Sequence, residues 1–135
     1  MIPETDALLN LSAGKLLMEI APAMPPGYGQ GSTSTVAMVL VLAAQEYAKG
    51  ADTRIWENAR MAELLAAHGK PAAIAAASNT IPDLNAANVE LKKRLIALHE
   101  AVEGSDTPEA QRAEADILAF LKEASDRRRL YLPAL

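Results

Sequence analysis

Thr80-Ile81-Pro82-Asp83-Leu84-Asn85-Ala86-Ala87-Asn88-Val89-Glu90-Leu91-Lys92-Lys93-Arg94-Leu95-Ile96-Ala97-Leu98-His99-Glu100-Ala101-Val102 is the stretch that decides the fold class. Leu84, Leu91 and Leu98 recur every seven residues, and Asn88, Leu95 and Val102 form the second series of the same heptad. That spacing is the seam of a helix packed lengthwise on other helices. Thr80 with Asp83 three residues on has the form of a capping box, and Gly104 supplies the stop. Asn88 on the seam points to a buried amide that fixes register or partner choice.

To the C-terminal side, Asp106-Thr107-Pro108-Glu109 is a second start signal, a capping side chain followed by proline in the first turn. Ala113, Ile117, Phe120, Leu121 and Ala124 make the inward face of the last helix. Arg127-Arg128-Arg129 complements the negative end of its dipole and otherwise reads as a solvated basic face, as does Lys92-Lys93-Arg94. The tail, residues 130–135, is apolar enough to dock.

To the N-terminal side, Pro71 to Asn79 read as a short helical turn or a packed connector, and Gly69-Lys70-Pro71 ends the helix before it. That helix starts near Ser34. Val36, Leu40, Ala43 and Tyr47 mark its inner face, while Met38, Val39, Val41 and Leu42 make it apolar all round. Lys49-Gly50 is a possible stop, but Tyr47, Ala51, Ile55, Ala59, Ala62 and Ala66 continue in phase, which favours one helix of about 33 residues and about 50 Å. The first helix covers residues 5–21, with Leu9, Ala13, Leu16 and Ile20 inward and Leu8, Leu17 and Met18 widening the stripe. Pro22, Pro25 and Pro26 terminate it. No alternating strand pattern occurs. The expected fold is all-α, a bundle of four to five helices with one long apolar second helix, in a single domain over residues 1–135.

Composition bounds the function more than it defines it. The net charge of −4 disfavours nucleic acid as a partner. The absence of cysteine removes disulfides, thiolate metal sites and cysteine catalysis. The acidic start Met1-Ile2-Pro3-Glu4-Thr5-Asp6 is unlike a signal peptide, and the longest uncharged apolar run, Val36 to Ala44, is far short of the roughly 20 residues that span a bilayer. A cytoplasmic protein with no membrane partner is the expectation.

Two features carry functional hypotheses. Pro25-Pro26-Gly27-Tyr28-Gly29-Gln30-Gly31-Ser32-Thr33-Ser34-Thr35 runs into the second helix, and Gly29, Gly31, Ser32 and Thr33 are the residues that would hold a phosphate or carboxylate at a helix start. No lysine follows the last glycine and no strand precedes it, so it is neither a phosphate-binding P-loop nor a dinucleotide fingerprint. The simpler reading is a tight turn and a helix cap. The second feature is the all-round apolar helix, whose Met38, Val39, Val41 and Leu42 would be covered by a second copy of the chain. The inner faces are mostly alanine, which buries little area per residue and strengthens the case for a homodimer.

No catalytic residue, metal or cofactor is implied. His99 and Glu103 form a lone pair at helical spacing, and His68 lies at a frayed helix end. Glu46, Tyr47, Arg54, Glu57 and Arg60 could rim a pocket but read more simply as solvated polar groups, with Glu57 and Arg60 able to pair along the helix. Trp56 could anchor a partner surface, and core packing is the simpler reading. A homo-oligomeric interaction domain is the leading expectation; a small-anion site or enzyme at the glycine-rich helix start is the alternative, and a further protein partner is compatible with either.

Overall fold

The computed structural model describes residues 2–133, and among them the secondary structure is entirely helical. Helix α1 (residues 5–23) is composite: α-helical over Thr5–Lys15, π-helical over Leu16–Ile20, and α-helical again over Ala21–Ala23. Helix α2 spans Tyr28–Ala67, α3 Ile81–Val102 and α4 Pro108–Arg128. Four helices therefore account for the bundle. The described residues form two compact units, residues 2–50 with 130–133, and residues 51–129.

The larger unit is a three-helix bundle built from the second half of α2, α3 and α4. Met61, Leu64, Leu65, Leu91, Leu95, Leu98, Ile117, Phe120 and Ala124 form its core, with Trp56, Ala72, Ile74 and Val102 against it. The heptad of α3 is borne out, with Leu84, Asn88, Leu91, Leu95 and Leu98 all buried. In α4 the buried face is Ala110, Ala113, Ile117, Phe120 and Ala124, whereas Leu121, expected inward, is 45% exposed. Leu121 follows Phe120 directly, so a helix that turns Phe120 inward carries Leu121 about 100° away.

Helix ends are set as their sequences suggest. Thr107 accepts a hydrogen bond from the Ala110 amide, and Pro108 occupies the first turn. Thr80 caps α3 by backbone conformation only; the Asp83 carboxylate instead accepts the hydroxyl of Ser78. After Ala67, Gly69 takes φ +69° and Lys70 N–H donates to the Leu65 carbonyl, closing α2 as a Schellman turn. Residues 71–79 are a non-helical connector that packs Ala72 and Ile74 on the core.

In α2, Gly50 lies inside a continuous helix of 40 residues, which begins at Tyr28 rather than near Ser34. Its inward positions also differ from the apolar phase read through Tyr47, Ile55 and Ala59. Tyr47, Ile55, Ala59 and Ala66 are exposed, and the buried series is Thr53, Glu57, Met61, Leu64 and Leu65. Alanine marks a face weakly, because one methyl is tolerated on either side of a helix. Two polar residues, Thr53 and Glu57, hold the true seam.

The smaller unit contains α1, the first half of α2 and the tail. Its buried hydrophobic residues are Ala13, Ala21, Ala37 and Ala44. Ile20, expected inward, is 40% exposed, and Ala21 takes the inner position. The π turn explains the shift. Ala21 N–H reaches back five residues to the Leu16 carbonyl, so one extra residue enters the turn and the face advances by about 100°. Pro22 lies next in the chain; in a regular helix its ring would press on the Met18 carbonyl, and the wider turn relieves that contact.

Candidate functional site

The glycine-rich segment is mostly helix. Gly27 makes the turn at φ +149°, and Tyr28 already begins α2. Gly29, Gly31 and Ser32 are exposed on the first turns and Thr33 is half-buried. Gly31 N–H donates to the Gly27 carbonyl, which closes the first turn. The Thr33 hydroxyl donates to the Gly29 carbonyl, 2.9 Å, with the Met24 sulfur at 3.3 Å, and the Thr35 hydroxyl donates to the Gly31 carbonyl, 3.0 Å. Gln30 donates from its side-chain amide to the Ala21 carbonyl, tying the start of α2 to the end of α1. Several of the donors that a cradle would aim at an anion are thus engaged within the chain. Tyr28, Gly31, Ser32 and Thr35 line only a shallow, open cleft.

Large apolar side chains are exposed on this unit. On α1, Leu8, Leu11 and Met18 are 47%, 70% and 79% exposed, and on α2 Val36, Val39 and Tyr47 are 50%, 58% and 56% exposed. Of the four residues expected at an interface, Val39 is on this surface, while Met38, Val41 and Leu42 are half-buried. Val36, Ala43 and Tyr47, expected inward, are exposed; Ala37 and Ala44 take the inner positions. The side chain of Gln45 pairs with the tail. The Gln45 amide donates to the Tyr131 carbonyl, 2.7 Å, and accepts from Tyr131 N–H, 2.9 Å, reproducing the two bonds of a paired strand. Leu130 is half-buried, whereas Tyr131 and Leu132 face outward. Ala134 and Leu135, read as part of the docked tail, lie outside the described residues, as does Met1.

The larger unit holds a buried polar cluster. Glu57, 1% exposed, receives two hydrogen bonds from the Arg128 guanidinium and one from the Asn88 amide, 2.9 Å. The same Asn88 nitrogen donates to Asn58 Oδ1, and Asn58 donates to the Leu84 carbonyl. Burial would raise the Glu57 pKa, but the Arg128 hydrogen bonds and charge, the Asn88 bond and the Lys92 charge outweigh it and leave the carboxyl below its ordinary value. An ionised, fully paired carboxylate of this kind is a poor proton donor or acceptor. Among the described residues no buried side-chain polar atom lacks a partner. The cluster therefore acts as a lock that only one alignment of three helices satisfies.

The spacing that would let Glu57 pair with Arg60 is not used: Arg60 pairs with Glu63, and Arg128 leaves the basic face to reach Glu57. The usable signal was the spacing Thr53, Glu57, Met61, Leu64, in phase with the apolar residues of the helix's second half. Arg127 lies 4.1 Å over the Trp56 ring, which stacks on Phe120. His68 contacts Asp116 at 2.9 Å, beside an open cleft also lined by Lys70, Leu98 and Val102. Among the described residues no cluster of three or more His, Asp or Glu side chains has metal-binding geometry, and no helix is long and apolar enough to cross a membrane. No protein-family model, curated protein or solved structure matches the chain.

Proposed function

We propose that this protein is a homo-oligomeric assembly domain, whose smaller unit joins two copies and whose larger unit is the rigid folded body. One observation carries the reading: among the described residues of the smaller unit only alanines are fully buried hydrophobic residues, while Leu8, Leu11, Met18, Ile20, Val36, Val39 and Tyr47 are exposed. Each buried alanine contributes a single methyl group, about 0.8 kcal/mol by the usual transfer value. The exposed Leu8, Leu11, Met18, Ile20, Val36, Val39 and Tyr47 together present on the order of 800 Å², the area each partner contributes to a standard interface. Covering them with a second copy turns two helices into four around a real apolar centre, the arrangement that makes helical hairpins stable.

Light scattering behind a sizing column tests this directly. At micromolar concentration the protein is expected at twice the chain mass, and Val36→Asp with Val39→Asp is expected at the chain mass with unchanged helical circular dichroism. Both valines are at least half exposed, so the substitutions leave each copy's own packing intact. A wild-type protein that runs as a monomer overturns the proposal.

A further inference from the structure

We infer that the second copy docks antiparallel along α2, with the two-fold axis between Val36 and Val39; this rests on the assembly reading above. Along the outward side of α2, Gly29, Ser32, Val36, Val39, Ala43 and Glu46 follow one another at intervals of three and four, the heptad seam of a helix pair. Gly29, Ser32, Val36, Val39 and Ala43 are exposed, and Glu46 is half-buried. From Tyr28 through Gln45 the helix carries no charged residue, so a partner helix can lie along 18 residues without burying a charge.

Dipoles and size select the direction. A parallel pair would set like ends of the two helix dipoles side by side, which an antiparallel pair avoids. An antiparallel pair alternates the two seam positions, so Val36 meets the partner's Val39, Ser32 meets the partner's Ala43, and Gly29 meets the partner's Glu46. The small layers of Ser32 and Ala43 on either side of the valines let the two helices approach closely. Each contact occurs twice, as a two-fold interface requires.

The absence of cysteine makes the register readable by cross-linking. Ser32→Cys, Ala43→Cys and the double variant replace exposed, small residues, and mild oxidation links only thiols whose Cα atoms lie within about 7 Å. Residues 32 and 43 are about 16 Å apart along one helix, so neither an internal bond nor a 32–32 bond across an antiparallel pair can close. The double variant is expected to run as a covalent dimer on a non-reducing gel, and both single variants as monomers. If either single variant links to itself, the pair is parallel and the inference is overturned. If wild type is a dimer but none of the three links, another face is used and the inference again falls, with the assembly reading intact. A wild-type monomer in light scattering removes both.

Discussion

Replacing Arg128 by methionine isolates the energetic weight of the buried cluster. The substitution keeps most of the apolar stem and removes both hydrogen bonds to Glu57, leaving a carboxylate that is 1% exposed with the Asn88 amide as its remaining bonded partner in the cluster. Stripping one partner from a buried ion pair typically costs 3–5 kcal/mol. Arg128 itself is 39% exposed, so water reaches the vacated position and offsets part of the loss; about 2–3 kcal/mol is expected. Trp56, the sole tryptophan, lies against the same core and reports unfolding by fluorescence. With a urea slope of about 1–1.5 kcal/mol per M for a unit of this size, the midpoint should fall by about 2 M. Glu57→Leu combined with Arg128→Met removes charge and countercharge together, and should recover most of the loss while Asn88 keeps its bond to Asn58. A single variant within 0.5 M of wild type, or a double variant no better than the single, would refute the view that Glu57 is held ionised by Arg128.

Two further expectations follow from the same residues and from the glycines. Because the folded Glu57 pKa is depressed, its stabilisation is complete above the unfolded glutamate value and is lost as pH falls below about 4.5 toward the folded value. Urea midpoints between pH 6 and 3 should therefore decline more steeply for wild type than for Glu57→Gln; parallel curves would assign the acid sensitivity elsewhere. Gly31 is helical with open space where a Cβ would sit, while Gly69 holds φ +69°. Thermal melts should show Gly31→Ala stabilised by about 0.5–1 kcal/mol and Gly69→Ala destabilised by about 1 kcal/mol, and a reversed order would contradict the helix bounds at both ends of α2.

The parts of the fold legible in the sequence are those where large side chains and caps agree. Leucines at heptad spacing define α3, Thr107-Pro108 opens α4, and Gly69 and Gly104 close α2 and α3. What stayed hidden had specific causes. Glycine and hydroxyl residues argued against helix from residues 28 to 33, yet Thr33 and Thr35 bond back to carbonyls one turn earlier and sit within it. Alanines at 59 and 66 suggested a face that the helix leaves exposed, while Ala51 and Ala62 are half-buried, because a methyl group imposes almost no preference. Glu57 was invisible as a core residue since its partner lies 71 positions away, and no local spacing links a glutamate to an arginine in a run of three. The candidate assembly surface was legible as excess apolarity, with Val39 on it; the phase of that helix was not, and Val36 and Tyr47 lie outside rather than inside.

The π turn in α1 has a consequence for how this segment can vary. Helix faces normally tolerate substitution and reject insertion, since each added residue rotates everything beyond it. Here one such rotation is already built in between Leu16 and Ile20. Deleting a single residue from that turn would set Ala21 four positions after Leu16, so ordinary winding would return with Ala21 still in its inner position and the residues before Leu16 on their present face. The cost of such a deletion would fall on Pro22, whose ring would again meet the carbonyl four residues earlier, and a one-residue deletion here should be less damaging than one inside a regular turn of the same helix.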